Sequence, residues 1–385
     1  EKMKITKVEA TPINVPIHVD VLDLNKETNL SVCLVRIETD SGHSGFGITG
    51  ITEEEVITTI INTVAASSLI GEDPIAIEKI WHKLYWLLSP RGQTGYAAHA
   101  MAAIDIALWD LKGKVMREPI WRLLGGARNK VPVYATFGYP FFDRDQLGEA
   151  AKLWVADGFT GLKMTVGDGA TRRQSERPIG AVIKEDIERV RTVREAIGPD
   201  IDLYVDGNCN LDPFHAIKLA QAIEQYDIAF FEEPITQNDV RQMADMRSRT
   251  NIPLACGQNE GLAYRFRDMM VAGAVDVVQP NVVITGGYTQ CAKIGGMAEA
   301  FNVGIDNGGA WPHFNMHLHG GLANGGLIEM HYLAVKCCEQ IFDGLPQAED
   351  GWLTLPDQPG LGFSINEEAI KDLAAKPLSG GGGKQ

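Results

Sequence analysis

The sequence predicts an α/β protein in which a (β/α)8 barrel of the TIM type follows an N-terminal α+β domain. Two observations lead to this prediction. From Val131 onward, short apolar segments alternate with segments of helical period, and the stretch is long enough for eight strand–helix units. Polar residues end several consecutive apolar segments, as at the mouth of a barrel, whereas an open doubly wound sheet gathers its ligands at one switch point.

Residues 1–125 form the predicted α+β domain, which we expect to cap the barrel. The segments ITKVEATPINVPI and SVCLVRIETDSGHSGFG alternate between apolar and polar residues, which predicts antiparallel strands with a turn at Asp40–Gly42. The polar segment HVDVLDLNKETNL between them predicts a loop of lid character. A helical section follows from Glu53 to Leu124, and its clearest part is AAHAMAAIDIALWDLKGK.

Residues 126–345 form the predicted barrel, which contains the metal and active site. We expect residues 346–378 to pack back on the first domain, and residues 379–385 to form a flexible tail. The eight predicted barrel strands are VPVYATF, GLKMTV, DLYVDGN, IAFFEEP, IPLACGQ, DVVQPN, NVGIDNG and GLIEMH.

Composition narrows the class of partner. The net charge of −15 argues against nucleic acid and anionic membranes, although a local cation could still attract an anionic small molecule. No segment approaches the roughly 18 apolar residues of a membrane span. The six cysteines form no CxxC pair, so we expect reduced thiols in a cytoplasmic protein.

Acidic residues recur at a fixed interval along the predicted barrel. Asp206 and Glu232 are 26 residues apart, and Gln258, with Glu260 close behind, follows 26 residues after Glu232. One strand plus one helix fits this period, so the three points would lie on neighbouring parallel strands. Oxygen-rich side chains gathered at one rim favour a hard cation.

Six segments together resemble the enolase superfamily, in its mandelate racemase/muconate lactonizing enzyme-like branch. They are IDIALWDLKGK, GLKMTVG, VDGN, FFEEP, GQNEG and PGLGF, and the resemblance covers nearly the whole chain. It implies a modified, enolase-like barrel, Mg²⁺, and abstraction of the proton next to a carboxylate to give an enediolate. Such a carbon acid is very weak, so a cation at the carboxylate and a base at the α-carbon are both required.

The resemblance implies that Asp206 and Glu232 are the first two metal ligands. Gln258 occupies the position of the third, usually acidic, ligand, and its amide oxygen can bind Mg²⁺. Glu260 would share the face of Gln258 in a continuing strand, so either residue, or neither, could be the third ligand. Glu233 is expected to turn away from the metal.

The usual proton-transfer positions are altered. Lys163 matches the first lysine of a KxK motif, but Thr165 replaces the second, which is the usual base. Lys163 could serve as the base, with a lowered pKa, or contact the substrate carboxylate. Asn281 stands where an aspartate is expected, and Gly308 or Gly309 where a histidine is expected. His313 is the best remaining general acid, unless it is a structural histidine at a helix start.

Four residues are predicted to contact the substrate. Glu329 matches a family position that hydrogen-bonds a substrate carboxylate oxygen, and Asn208 lies on the same strand face as Asp206. Glu260 and Asn281 complete this set at the same predicted rim.

The sequence therefore favours Mg²⁺-dependent dehydration of a hydroxylated sugar acid. A racemase or epimerase, a lactonizing cycloisomerase, and a catalytically altered binding protein on the same fold stay open as alternatives. The replacement of both usual bases disfavours a two-base racemase, and the family implies a homo-oligomer.

Overall fold

A computed structural model describes residues 2–88, 94–168 and 177–378. Its first domain begins with an antiparallel sheet, in the order β1 (Ile5–Val19), β2 (Lys26–Thr39) and β3 (Ser44–Gly50). The predicted lid is mostly strand, because β1 and β2 stay paired as far as Val19 and Lys26. The connection is therefore a short turn and not a long polar loop. The predicted turn at Asp40–Gly42 is present between β2 and β3, with Gly42 at a φ of +81°.

The helices of the first domain pack on this sheet. Gly45 and Gly47 on β3 allow the closest approach, because a Cβ at either would lie 2.2 Å from a backbone carbonyl of the long helix. The helices are α1 (Glu54–Thr59), α2 (Ala66–Leu69), α3 (Ile77–Leu88), α4 (Tyr96–Met116) and α5 (Ile120–Leu123), with a π-helical turn (Ile60–Ala65) between α1 and α2.

Eight parallel strands in the described part of the chain form the barrel. They are β4 (Lys130–Gly138), β5 (Gly161–Thr165), β6 (Asp202–Asp206), β7 (Ile228–Glu232), β8 (Leu254–Cys256), β9 (Val277–Val278), β10 (Gly304–Ile305) and β11 (Ile328–His331). They pair in chain order from β4 to β10, and β11 pairs with β4. The seam between β10 and β11 is bridged where Asn307 N–H donates to the Leu327 carbonyl at 2.8 Å.

Helices alternate with these strands, which confirms the predicted (β/α)8 fold. Three of them begin at an aspartate, since Asp143, Asp212 and Asp239 each accept a hydrogen bond from a backbone N–H of the first turn. The barrel helices are α6 (Arg144–Ala156), α7 (Ile179–Ile197), α8 (Pro213–Ile223), α9 (Val240–Arg247), α10 (Leu262–Val271), α11 (Gly287–Phe301), α12 (Pro312–Gly321) and α13 (Tyr332–Ile341).

The last segment returns to the first domain. It comprises β12 (Phe342–Asp343), β13 (Ala348–Glu349), β14 (Trp352–Thr354), β15 (Ser364–Ile365) and α14 (Glu367–Ala374). Leu361 N–H donates to Asp110 on α4 at 2.8 Å, and Glu367 pairs with Arg36 on β2 at 2.6 Å. The predicted tail at 379–385 lies outside the described residues.

The first domain also contacts the barrel directly. Asp105 on α4 accepts hydrogen bonds from the Thr289 hydroxyl at 2.5 Å and from its backbone N–H at 3.1 Å. Gly287 makes room for this carboxylate, because a Cβ there would lie 2.2 Å from Asp105 Oδ2. The two domains therefore share buried polar contacts.

Two expectations from composition can be compared with the structure. None of the helices in the described ranges is long and apolar enough to cross a bilayer. All six cysteines are buried and unbridged, as expected for reduced thiols.

Candidate metal centre and active site at the barrel mouth

Two carboxylates mark the carboxyl-terminal mouth of the barrel. Asp206 ends β6 and Glu232 ends β7, and the two residues are direct partners in the parallel ladder. Both side chains are buried, and Glu232 Oε1 has no hydrogen-bond partner among the described residues. An unpartnered buried carboxylate oxygen is costly unless a cation or donor reaches it.

Lys163 on β5 extends its ammonium group toward these carboxylates. The ammonium contacts Glu232 and lies 3.5 Å from Asp206 Oδ2 and 3.3 Å from Glu329 Oε1. Burial alone would lower the pKa of Lys163, but the surrounding carboxylates outweigh burial and raise it well above its usual value. The sequence led us to expect a lowered pKa for Lys163, and this structure gives a raised one instead.

Gln258 is held by the residue next to a predicted ligand. Its Nε2 donates to Glu233, whose two carboxylate oxygens also accept from Asn259 Nδ2 at 3.0 and 2.9 Å and from Asn238 Nδ2 at 2.9 Å. Glu233 turns away from Glu232 through a positive φ of 42°. The predicted reversal of Glu233 is therefore present, and it fixes the orientation of the Gln258 amide.

A pair of glycines lies against the second and third candidate ligands. A Cβ on Gly308 would lie 2.9 Å from Glu232 Oε1, and a Cβ on Gly309 would lie 3.4 Å from Gln258 Oε1. The oxygens of Glu232 and Gln258 therefore face the same turn. Gly309 also has a φ of +77°, which a residue with a side chain adopts at a cost.

The donor set at this mouth fits a hard divalent cation. Within the described ranges, no three Asp, Glu, His or Cys side chains converge as a metal site. The candidate donors predicted from the sequence are two carboxylates, Asp206 and Glu232, and the amide oxygen of Gln258. All three are oxygen donors of the kind that Mg²⁺ prefers.

Glu260 lies away from this group. Its carboxylate forms an ion pair with Arg265 at 2.9 Å and accepts a hydrogen bond from Asn238 Nδ2 at 3.1 Å. The structure thus pairs Glu260 with Arg265 instead of bringing it to the mouth as a ligand or substrate contact. The reason is Gly257, whose φ of +144° ends the strand so that period-2 alternation does not continue to Glu260.

Asn281 has a structural role at the barrel mouth. Its Nδ2 donates to the carbonyls of Gly308 at 2.7 Å and Ala310 at 3.0 Å. Its Oδ1 accepts from Val283 N–H at 3.0 Å and Asn315 Nδ2 at 2.9 Å. The predicted substrate contact is thus occupied in holding the glycine turn.

His313 lies outside the cup formed by Asp206, Glu232 and Lys163. Its Nε2 is 3.2 Å from the Pro346 carbonyl, and its ring packs against Phe363. Burial lowers the pKa of His313 to about 4. The structure therefore corrects the expectation that His313 reaches the reacting centre, and it favours the alternative of a histidine at a helix start.

Glu329 and Asn208, both predicted to contact the substrate, line the cavity at the barrel mouth. Glu329 Oε1 accepts from the Thr136 hydroxyl at 2.8 Å, and its Oε2 accepts from Ala310 N–H at 3.2 Å. Asn208 has a positive φ of 46°, and its backbone N–H donates to Asp206 Oδ1 at 2.8 Å. Both residues line a cavity of about 650 Å³ together with Asp206 and Gln258.

Sequence reasoning missed several side chains of this cavity. His99 enters from the first domain, where its Nδ1 lies 2.6 Å from the Thr49 hydroxyl. Asn210 is buried, and its Oδ1 has no partner in the described structure. His331 and Tyr139 line the wall beside Glu329. The two-residue spacing between Glu329 and His331 on one strand was the signal that could have identified His331.

The geometry defines a class of protein, a (β/α)8 barrel with oxygen-rich side chains at its mouth and a capping domain that contributes Ile51 and His99 to the cavity lining. Comparison with known proteins agrees. Residues 2–125 match the mandelate racemase/muconate lactonizing enzyme N-terminal domain, and residues 146–369 match the enolase C-terminal domain-like family. The chain belongs to the mandelate racemase/muconate lactonizing enzyme family of the enolase superfamily.

Individual relatives match over almost their full length. An arabinonate dehydratase from Saccharolobus solfataricus is 31% identical over 360 residues, which cover 91% of this chain and 92% of that one. A 3,6-anhydro-α-L-galactonate cycloisomerase from Streptomyces coelicolor is 33% identical over 346 residues, covering 88% of this chain and 90% of that one. The protein is therefore similar to both lyases and isomerases, as predicted.

A solved relative supports the predicted cofactor. The structure of a racemase from Streptomyces coelicolor with bound magnesium aligns with a TM-score of 0.86 and 29% identity, covering 96% of this chain and 99% of that one. The prediction of Mg²⁺ is consistent with this relative and with the oxygen donors at the barrel mouth.

Proposed function

We propose that the protein catalyses the Mg²⁺-dependent dehydration of a sugar acid to a 2-keto acid, through an enediolate. The observation on which this proposal depends is the pair of register-matched carboxylates, Asp206 and Glu232, at neighbouring strand ends. Asp206 and Gln258 both line the cavity at this mouth. Relatives that dehydrate arabinonate, talarate or galactarate, and rhamnonate support the reaction class.

Asp206, Glu232 and Gln258 would hold the cation in this proposal. When bound, Mg²⁺ supplies positive charge for the negative charge that develops on the substrate carboxylate. Lys163 is the candidate base for the α-proton, with contact to the substrate carboxylate as its alternative role. Glu329 is held by Thr136 and Ala310, and its proposed role is a hydrogen bond to a substrate carboxylate oxygen, which requires a proton on one of the two carboxyl groups.

A substrate screen tests this function. Arabinonate, rhamnonate, galactonate and galactarate are incubated with the protein and Mg²⁺, and 2-keto acids are detected with semicarbazide. We expect product from at least one acid, and none after treatment with EDTA. Asp206→Asn should remove activity, whereas Asp372→Asn on the exposed face of α14 should not. Product formation that survives EDTA would contradict the proposal.

Cycloisomerisation is the second candidate, because a cycloisomerase is among the relatives at 33% identity. Both reactions begin with removal of an α-proton, but only dehydration releases water and gives a keto product from an open-chain acid. Solvent deuterium at the α-carbon without a keto product would favour the isomerase. Binding without either reaction would favour a catalytically altered binding protein.

We further propose a cytoplasmic location and a homo-oligomeric state. The six unbridged buried cysteines support a reducing compartment, and the family resemblance supports self-association. Size-exclusion chromatography with light scattering tests the oligomer, and a monomer at micromolar concentration would contradict it.

A further inference from the structure

Gln279 is a buried amide in the barrel interior whose two polar atoms have no partner among the described residues. It directly follows β9 and continues the barrel ladder, because its backbone N–H donates to the Cys256 carbonyl at 2.8 Å. Its side chain is fully buried, and neither Nε2 nor Oε1 forms a hydrogen bond within the described ranges. A buried amide in this situation costs stability. Its presence here therefore needs a reason beyond packing.

Gln279 lies close to Glu232, the candidate ligand whose Oε1 also has no partner in the described part of the chain. Gly308 locates both groups. A Cβ on Gly308 would lie 2.9 Å from Glu232 Oε1, 2.9 Å from Gln279 Cβ and 3.3 Å from Gln279 Cδ. The amide and the carboxylate oxygen therefore border the same small space, which a glycine at position 308 leaves open.

The topology of the barrel explains this closeness. Side chains inside a (β/α)8 barrel form layers, and each layer takes its members from alternate strands. Lys163 on β5 contacts Glu232 on β7 and lies 3.3 Å from Glu329 on β11. The remaining alternate strand is β9, and the side chain that follows it and borders Glu232 is Gln279. These four residues therefore form one layer of the barrel interior.

Glu232 depends on Lys163 for its only side-chain donor among the described residues. The Lys163 ammonium contacts Glu232 Oε2 and leaves Oε1 without a partner. A cation at Glu232 would compete with this ammonium, because both positive charges require the same carboxylate. Once Lys163 withdraws, the carboxylate oxygen that does not bind the cation needs another donor to fix its direction. Gln279 is a donor of the right kind in the same layer.

We propose that Gln279 is a positioning residue for the metal site, whose Nε2 donates to the Glu232 carboxylate and directs it toward the cation. The inference rests on the proposed function, because it requires Mg²⁺ at Glu232. In this role Gln279 contacts neither the cation nor the substrate and acts through Glu232 alone. Outer hydrogen-bond partners of this kind orient metal-binding carboxylates and strengthen metal binding.

The experiment compares Gln279→Met with the wild-type protein. Methionine is unbranched and of similar size to glutamine, and it lacks both polar atoms of the amide. Each protein is titrated with MgCl₂ alone by calorimetry, and is unfolded thermally in EDTA and in saturating Mg²⁺. Gln279→Leu repeats the test with a second apolar side chain, and Gln221→Met on the exposed face of α8 is the control.

We expect Gln279→Met to bind Mg²⁺ about 10–100-fold more weakly, the usual effect of removing an outer partner of a metal ligand. In EDTA it should unfold at or above the wild-type temperature, because it removes buried polar atoms that lack partners among the described residues. A packing defect would instead lower both the affinity and the unfolding temperature. Gln221→Met should change neither.

Two outcomes would overturn the role of Gln279. One is an unchanged Mg²⁺ affinity in Gln279→Met, as expected if the amide only holds a buried water molecule. The other is a weaker affinity together with a lower unfolding temperature in EDTA. If the wild-type protein binds no Mg²⁺, the proposed function itself fails and the role of Gln279 with it. Mg²⁺ binding and dehydration by the wild type, with unchanged affinity in Gln279→Met, overturn the positioning role only.

Discussion

Single side chains decide how a metal ion could be held at this barrel mouth. Gln258 contributes an oxygen without a charge, and its amide nitrogen is engaged by Glu233, so the oxygen side faces the glycine turn. Burial and the nearby charge of Asp206 raise the pKa of Glu233, and hydrogen bonds from Asn238, Cys209 and Gln258 offset part of this rise. A carboxylate at position 258 would lose the donor that this network requires.

Gln258→Glu should bind Mg²⁺ more tightly but be less stable without it. The added charge faces the cation, and it also faces Glu233 when no cation is present. We expect an affinity gain of about tenfold, a fraction of the ~4 kcal/mol that two unit charges at 4 Å exchange near a protein surface. Calorimetric titration and thermal unfolding with and without Mg²⁺ measure both effects. The control is Gln221→Glu on the exposed face of α8, and an unchanged affinity in Gln258→Glu would exclude Gln258 as a ligand.

Lys163→Met should abolish α-proton exchange while Mg²⁺ still binds. Exchange should be lost because a general base contributes about 10²–10⁴-fold to the rate. Mg²⁺ binding should persist because the candidate ligands are two carboxylates and an amide, not Lys163. Lys163→Arg is the matched variant, because it keeps the charge but cannot give up its proton. Proton NMR in D₂O measures exchange. Exchange that persists in both variants would reassign Lys163 to binding the substrate carboxylate.

At the scale of secondary-structure elements, the loops that follow the strands position the side chains of the candidate metal site. The turn at Gly308–Gly309 lies against Glu232 and Gln258, and Asn281 holds its carbonyls from the neighbouring loop. Asn281 stands where the family usually has an aspartate, and this replacement suits the turn in which glycines replace the usual histidine. Its two amide hydrogens match two carbonyl acceptors, which a carboxylate could not do.

Asn281→Asp should destabilise the protein and weaken Mg²⁺ binding. An oxygen would replace Nδ2 at 2.7 Å from the Gly308 carbonyl, so two acceptors would face each other. An unmade buried hydrogen bond costs about 1–3 kcal/mol, and more for a charged group. Asn324→Asp, which loses a 2.9 Å bond to Gly295 far from the cup, should lower stability alone. Equal Mg²⁺ affinity in both variants would refute the proposed link between Asn281 and the metal site.

Strand ends were predictable from the sequence, and side-chain directions beyond them were not. Asp206 and Glu232 are the last residues of their strands, so the 26-residue period placed them at neighbouring strand ends. Glu260 follows Gly257, and His313 follows Ala310 and Trp311, whose positive φ values of 71° and 61° start α12. Once the chain turns in this way, sequence distance no longer tells which face a side chain occupies.

Buried acids link the two domains at the scale of the whole molecule. Asp105 on α4 accepts two hydrogen bonds from Thr289 on α11, and burial raises the pKa of Asp105 from 3.8 to about 7. A raised pKa in the folded state means that the neutral form is favoured there. The contribution of this group to stability is complete below pH 3.8 and is lost as the pH rises through about 7.

Asp105→Asn should therefore flatten part of the dependence of stability on pH. The wild-type protein should lose stability between pH 3.8 and about pH 7, because the unfolded carboxyl is ionised in this range while the folded one still holds its proton. The variant keeps the shape of the neutral acid and cannot ionise. Urea unfolding midpoints at pH 5, 6, 7 and 8 measure the difference, with the exposed Asp372→Asn as a control. Parallel curves for the wild type and Asp105→Asn would contradict the assignment.

A crystal structure of the protein grown with Mn²⁺ in place of Mg²⁺, read by its anomalous signal, is the decisive experiment on the metal site. We predict one strong peak at the barrel mouth, bound by a carboxylate oxygen of Asp206, one of Glu232 and the amide oxygen of Gln258. Lys163 should then have moved off Glu232. A peak bound instead by Glu260, or an ordered ion elsewhere with Lys163 still between the two carboxylates, would contradict the proposed magnesium centre.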